Sequence, residues 1–519
     1  MGIIKEKIHV NQMGKVVTSQ FVVEDDCNVP DNKADIGRIV TGEGDIRIEE
    51  IRPVENYLKV IGKLYFKILY VTDSGVPELA SMEGKIPVEE MVYVEDVDAG
   101  EYQVRVNRVH FQASMIHSRK IEIRAVTELA LHWERTEDEE ATVGVEAEYP
   151  VFEKTRPAEL LQLFDNKRDI YRIKEELTLP GTKENIDHLI WTEVKLRRLD
   201  TKLSGDMLIL SGELQVFCIY QSQEEKTDWV EQNVPFEGQV ACQGADSSFY
   251  HHVYRSLQDE NVEVRLDEDG EMRVLGIEAV LEMRLLIYKE EKMNLLEDVY
   301  SLEMQCETTE KRAFFEELVM QSHSKHKITE KLMIPEIRDE ILQICHTSGD
   351  VQVEKMETTE EGIRIEGILH ASFLYVKAND RIPFDVWSGM IPFSYLMECE
   401  NCSMDTRYDI NYGLEQLAIE LAGSGEVEVK AHLAFQSFLR RPLHMEMISD
   451  IAFQPFEEKE RERKPGIVVY LVKKDDDLWK LAKRYGTTED CIMEMNDLTS
   501  KTLKEGEKIL ILKENMSIL

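Results

Sequence analysis

Basic residues and cysteines are scarce in this sequence, and each shortage removes a class of protein. Lysine and arginine number 62 against 101 aspartates and glutamates, a net charge of −39 over 519 residues. Such a chain repels phosphate backbones and anionic membrane surfaces, so nucleic acid is not its expected partner. The eight cysteines, at positions 27, 218, 242, 306, 345, 399, 402 and 491, are too scattered for a disulfide framework and read as reduced thiols. No apolar run reaches the roughly 18 residues of a membrane-spanning helix. The start, Met1-Gly2-Ile3-Ile4-Lys5-Glu6-Lys7, lacks the apolar stretch of a secretory signal. The expectation is a cytoplasmic protein with no membrane insertion.

Chemistry is also thin. Cys399-Glu400-Asn401-Cys402 is a lone CxxC with no second ligand pair, so it makes neither a zinc site nor a thioredoxin-like motif. His251-His252 and His323/His326 have no ligand-spaced partner and read as surface histidines. The sequence contains no phosphate-cradling glycine loop, nucleophile elbow or His-Glu metalloprotease motif. No catalytic residue, metal site or cofactor is therefore assigned, and the expected class is a non-enzyme.

What is present is a repeat. Val29-Pro30, Leu179-Pro180 and Ile334-Pro335 are each followed, 32 residues after the proline, by Gly62, Gly212 and Gly367, and eight residues later by Tyr70, Tyr220 and Tyr375. A second proline then falls in Ile86-Pro87-Val88, Val234-Pro235-Phe236 and Ile391-Pro392-Phe393. One domain has been copied twice and has diverged. Apolar residues alternate with polar ones in Leu64/Phe66/Ile68/Tyr70, Ile121/Ile123/Ala125 and Val427/Val429/Ala431/Leu433/Phe435, the period of half-buried strands. The tyrosines should hold equivalent places on a central strand, and the prolines should mark strand starts or edges. The predicted fold is mainly β: three sandwich-like repeats at 1–133, 166–290 and 327–440.

Between the repeats, 134–165 reads as an acidic linker with a short helix from Pro157 to Phe164. Residues 291–326 read as a linker with helical spacing over Lys311 to Met320, and 441–466 as a charged tether. Residues 467–513 carry nine basic and nine acidic residues and form a separate electrostatic unit. There a strand leads to Asp475-Asp476-Asp477, which supplies an N-cap and negative charge for a helix start. Leu478, Leu481, Ala482 and Tyr485 share one helix face, and Gly486 suits its left-handed stop. A second helix opens at Thr487-Thr488-Glu489-Asp490, and a strand at 508–512 closes a small βααβ domain.

Through Tyr470, Leu478-Trp479, Tyr485-Gly486-Thr487-Thr488, Asn496, Leu498 and Gly506 to Ile511, this tail closely resembles a LysM domain. That resemblance implies a groove for N-acetylglucosamine-containing glycans at Asp476, Leu478, Asn496, Leu498 and Gly506. The acidic loop and Glu505-Gly506-Glu507 suit a neutral sugar poorly. Trp479 lies one position, about 100°, off the apolar stripe. It either lids the small core or faces outward as a partner anchor. Ile467, Trp479 and Asp475 to Asp477 are the candidate partner-binding residues.

Ala34-Asp35-Ile36-Gly37-Arg38-Ile39-Val40, Phe66 to Val71 and Arg119 to Val126 resemble the SPOCS domain of endospore coat proteins. Tandem SPOCS domains with a terminal LysM resemble a family of spore-coat morphogenetic proteins. That resemblance implies a mother-cell scaffold at the forespore surface, bound to the coat-basement ATPase, stage IV sporulation protein A, and to other coat proteins. The competing reading is a peptidoglycan-binding LysM protein.

Overall fold

Alternation does set the strands. In the strand Tyr57–Thr72, Leu58, Val60, Leu64, Phe66, Ile68 and Tyr70 are buried while most of their odd-numbered neighbours are less so. The computed structural model describes residues 2–75, 77–335, 341–377, 384–423, 425–456 and 466–513. The 457–465 part of the expected tether lies outside the described residues.

Each repeat is two three-stranded antiparallel sheets laid face to face. Repeat 1 comprises β1 (Gly2–Met13), β2 (Val17–Asn28), β3 (Ile36–Val54), β4 (Tyr57–Thr72), β5 (Leu79–Tyr93), β6 (Glu101–His117) and β7 (Lys120–Glu146). Its sheets run β3-β4-β5 and β2-β7-β6, with β1 also on β7. Repeat 2 repeats the pattern with β8 (Val151–Thr178), β9 (Ile186–Ser204), β10 (Met207–Ser222), β11 (Thr227–Ala241), β12 (Tyr250–Leu266) and β13 (Met272–Ser301). Repeat 3 uses β14 (Met304–Met333), β15 (Ile341–Thr359), β16 (Gly362–Lys377), β17 (Phe384–Glu398), β18 (Arg407–Gly423) and β19 (Glu426–Pro455). Repeat 1 alone has a broken first strand. The break is at Gly14, whose N–H bonds to the Trp133 carbonyl at 2.8 Å.

The repeated residues fall where the duplication requires. Tyr70, Tyr220 and Tyr375 are buried on the central strands β4, β10 and β16, opposite Ile39, Leu189 and Ile344. Pro87, Pro235 and Pro392 sit on the edge strands β5, β11 and β17, where a missing N–H breaks no interior ladder. The register slips directly before Gly62 and Gly367 in repeats 1 and 3, and two residues further on, between Glu213 and Leu214, in repeat 2. A Cβ at Gly62 or Gly367 would run into the carbonyl of Arg47 or Gln352, and one at Gly212 into the Phe236 ring.

The expected linkers are corrected where the structure describes them: 134–146, 151–165, 291–301, 304–326 and 441–455 are strand. Residues 134–146 pair with β1, 151–163 with the end of β13, and 304–318 with the end of β19, so each repeat extends a two-stranded ribbon beyond its sandwich. A bulge sits at the same point in each ribbon, at Val143, Glu297 and Ser449. The acidic run of repeat 1 folds because its partners are basic, with Lys5 at 2.7 Å from Glu140 and Lys7 at 3.4 Å from Asp138. The two apparent helices fail for another reason. Ribbons buried on both faces carry apolar doublets, which mimic helical spacing. Leu160 enters one core and Leu161 another, and Phe314 and Phe315 lie on opposite faces of β14.

The three ribbons meet in one buried cluster of Ile8, Val10 and Ala141 with Leu160 and Leu295, and with Ala313, Phe315 and Met447. A second shared core joins the outer faces of the other sheets through Leu69, Ile219 and Leu374. Packing is cyclic: β5 meets β9, β11 meets β15, and β17 returns to β3. The repeats therefore form a closed pseudo-threefold body rather than beads on a string. At equivalent points of β7, β13 and β19 lie Glu134, Tyr288 and Arg440. Arg440 is fully buried against Tyr288, with Asp409 at 3.2 Å and Glu316 at 3.5 Å. His252 is corrected too: it is buried beside Tyr254 and Phe438, and burial pushes its pKa down to about 4.

Candidate partner-binding site

The C-terminal domain is β20 (Ile467–Leu471), α1 (Leu478–Tyr485), α2 (Glu489–Met495) and β21 (Lys508–Leu512), with β20 antiparallel to β21. Asp477 caps α1 by accepting from the Lys480 N–H at 2.6 Å, and Gly486 ends it at φ 71°. Thr488 caps α2 through the Cys491 N–H at 3.1 Å. Asp475 is exposed at φ 66°.

The groove candidates are occupied by the domain's own architecture. Asp476 accepts from Tyr470 Oη at 2.9 Å and from the Lys473 N–H at 2.8 Å, and this backbone bond holds its carboxyl below the usual range. Asn496 donates to the carbonyls of Ile492 and Leu510, both at 2.7 Å, and accepts from the Leu510 N–H at 2.6 Å. Leu478 is in the core, Leu498 packs against it, and Gly506 turns the chain at φ 82°. These side chains hold the fold.

Trp479 does leave the helix stripe, but it does not meet solvent. It is 7% exposed and stands edge-on to Tyr300 of β13, with ring centroids 4.8 Å apart. Its Nε1 donates to Asp298 Oδ2 at 2.8 Å, and Lys483 Nζ lies 2.6 Å from Asp298 Oδ1. Burial alone would raise the Asp298 carboxyl, but the bonds from Lys483 and Trp479 outweigh it and leave the pKa lowered. Tyr300 Oη donates to the Thr487 carbonyl at 3.0 Å and its ring stacks on Phe152 at 5.1 Å. Lys154 reaches Asp477 at 3.8 Å. Of the two readings of Trp479, the outward-facing anchor is corrected and the lid is nearer the structure: the indole belongs to the domain's buried cluster, and the ribbon of repeat 2 covers it.

Ile467 is 58% exposed, and Val469 and Leu471 follow at 69% and 54%. With Leu512 opposite Ile467 and Leu510 opposite Val469 on β21, and Lys508 opposite Leu471, they make the open face of the two-stranded sheet apolar but for one basic residue at its end. Sequence reasoning found Ile467 and missed Val469 and Leu471, although their alternation with Val468 and Tyr470 was there to read. It also missed Phe152, Asp298 and Tyr300, because that stretch was assigned to linkers. Cys399 is buried, with its thiol pushed up to about 12. Among the described residues no group of three or more His, Cys, Asp or Glu side chains is placed to hold a metal ion, and no helix is long and apolar enough to cross a membrane.

A ring of internally duplicated β domains carrying a small docked module defines a repeat-built protein of binding-domain type. The family model described as the SipL SPOCS domain matches residues 35–116, 185–266 and 340–422, and the LysM domain model matches 470–512. The chain belongs to the SipL-like, sporulation coat-associated proteins, with tandem SPOCS domains and a C-terminal LysM domain. Each SPOCS match runs from the first strand of the β3-type sheet through β6 or its counterpart; the flanking strands that complete the second sheet and the ribbon fall outside it. No curated protein and no solved structure matches the chain.

Proposed function

We propose that the chain is a scaffold for spore coat assembly in the mother cell. It docks at the forespore surface on the coat-basement ATPase, stage IV sporulation protein A, and on other coat proteins. The observation that carries this reading is the open apolar face of Ile467, Val469 and Leu471, displayed by a LysM domain seated on a rigid threefold body. Exposed apolar clusters of this kind mark interaction sites, protein contacts among them. The acidic Asp475 to Asp477 loop at the same end favours a basic partner surface. Trp479 contributes by holding the domain in place, not by touching the partner.

The test is the affinity of the full chain for the purified ATPase. Val469→Glu puts a charge into an interface that must lose water and should weaken binding at least tenfold, about 1.4 kcal/mol. Unchanged affinity would rule this face out. A glycan-binding role predicts instead that the full chain sediments with insoluble peptidoglycan. A fluorescent fusion should encircle the forespore, and diffuse mother-cell signal would count against docking.

A further inference from the structure

The three repeats cross from one sheet of their sandwich to the other through the same turn, and repeat 3 places there a chemistry that the other two lack. Val94, Cys242 and Cys399 hold one position. Each is buried, and each N–H donates to a carbonyl in the hairpin turn that precedes it, at Asn56, Asp206 and Glu361. Three residues further on stand Val97, Ala245 and Cys402. The fold asks only for small apolar side chains at these two places, and repeat 3 alone fills both with thiols.

The backbone holds those thiols together. In repeat 2 the Ala245 N–H closes the turn on the Cys242 carbonyl at 2.9 Å, with Gly244 in its third place at φ 79°. Asn401 takes that place in repeat 3 at φ 64°, as asparagine does more readily than most residues. Such a turn brings its first and last Cα within about 7 Å, the reach of a disulfide. The Cys399 and Cys402 side chains already interact with each other. Both ends of the turn are pinned, Cys399 to the Glu361 carbonyl at 3.2 Å and the Ser403 N–H to Thr406 Oγ1 at 2.9 Å. Joining the sulfurs therefore needs side-chain rotation rather than unfolding.

The two thiols are not equivalent. Cys399 is 6% exposed and donates to the Glu400 carbonyl at 3.5 Å, and burial pushes its thiol up to about 12. Cys402 is half-buried, and the loop beyond it faces water, with Met404 86% exposed. We propose that Cys399 and Cys402 form a reversible dithiol–disulfide site, entered at Cys402, that staples the sheet-to-sheet crossing of repeat 3. The oxidant is a low-molecular-weight disulfide. The Cys402 thiolate attacks one of its sulfurs and expels a thiolate. The Cys399 thiolate then attacks Cys402 Sγ and expels the other, and the two protons of the dithiol pass to these leaving groups. This site is independent of the docking surface on the LysM domain.

Reaction of the folded full chain with oxidised glutathione, followed by alkylation and peptide mass spectrometry, tests it. The peptide carrying both cysteines should lose two hydrogens and escape alkylation, and dithiothreitol should restore it. Cys399→Val, the residue of repeat 1, should stop at a glutathione adduct on Cys402. Cys402→Ala, the residue of repeat 2, should leave Cys399 reduced. Urea midpoints near the parent's check that both variants fold, and the oxidised parent should unfold at or above the midpoint of the reduced one. Two free thiols persisting in the folded parent overturn the proposal, as does a glutathione adduct that stays on its Cys402. A lower midpoint after oxidation shows that the turn must distort to close, and overturns it equally.

Discussion

Trp479 and Asp298, 181 residues apart, are joined by an indole hydrogen bond of 2.8 Å, and this bond breaks the threefold symmetry of the body. The LysM domain has three similar ribbons to choose from. At the position of Tyr300, repeat 1 has Glu146 and repeat 3 has Ala452, as the shared bulges at Val143, Glu297 and Ser449 establish. Only repeat 2 offers an aromatic ring for Trp479 to meet. One substitution in a duplicated strand therefore fixes where a separate domain sits.

Asp298→Ala should loosen that seat. It leaves the Trp479 N–H and Lys483 without their acceptor, a loss of ~1–3 kcal/mol. Amide exchange in α1 should quicken roughly five- to 150-fold while β10 exchanges as before. The seat should also depend on acid. The Asp298 pKa is lowered from 3.8, so its contribution is complete above about pH 4 and disappears as pH falls through the folded value. Seat exchange that is unchanged at pH 3 would remove Asp298 from this role.

Glu43 has the opposite sign. Burial, with the charge of Glu193, raises its carboxyl to about 7 despite Lys195 and Lys67, and Glu260 adds to the rise. The folded chain holds this proton where the unfolded chain has lost it, so stability falls as pH rises from about 4.5 to 7. By pH 8 the full cost, up to ~3 kcal/mol, is present. Glu43→Gln should match the parent at pH 4 and be more stable at pH 8, as read by urea unfolding. A variant no more stable at pH 8 would show that Glu43 is well solvated.

Arg440→Ala should be among the most damaging single changes. It leaves the buried carboxyls of Glu316 and Asp409 without the cation they share, a cost of ~3–5 kcal/mol. Lys226→Ala breaks two ion pairs, with Glu184 and Glu224, but on the surface, where water screens them and their loss is slight. Urea midpoints of the two variants should differ accordingly.

Much of the fold was readable because the repeat left its spacing in glycine, tyrosine and proline, residues whose backbone or burial demands survive divergence. The LysM helices were readable because Asp477, Gly486 and Thr488 state their ends locally. The ribbons were not, because acidity and apolar doublets at 134–146 and 311–320 describe surfaces that face another repeat, and a single sequence does not show what opposes them. Trp479 failed for the same reason: its angle off the stripe was right, but its neighbour lies 179 residues earlier.

The central glycines should differ in tolerance. At Gly62 and Gly367 an added Cβ meets backbone carbonyls, which cannot move without breaking the ladder, whereas at Gly212 it first meets the Phe236 ring. Gly62→Ala and Gly367→Ala should each cost ~2 kcal/mol or more, and Gly212→Ala less, since a ring can shift. Equal losses in thermal unfolding at all three would mean that the contact a Cβ first meets does not set the demand.

The division of labour between Trp479 and Ile467 can be read from a double-mutant cycle on affinity for the coat ATPase, given the docking proposed above. If Trp479 only seats the domain, Trp479→Glu and Tyr300→Ala disrupt one contact. Each alone should weaken binding by ~1–2 kcal/mol, and the pair together should cost little more than one. Ile467→Glu acts on a different face, so its effect should add to either. Amide exchange of α1 gives a second readout, raised by Trp479→Glu and Tyr300→Ala and unmoved by Ile467→Glu. Should Trp479→Glu weaken binding as much in the Tyr300→Ala background as in the parent, the indole must leave its seat to touch the partner, and the covered position is then a resting state.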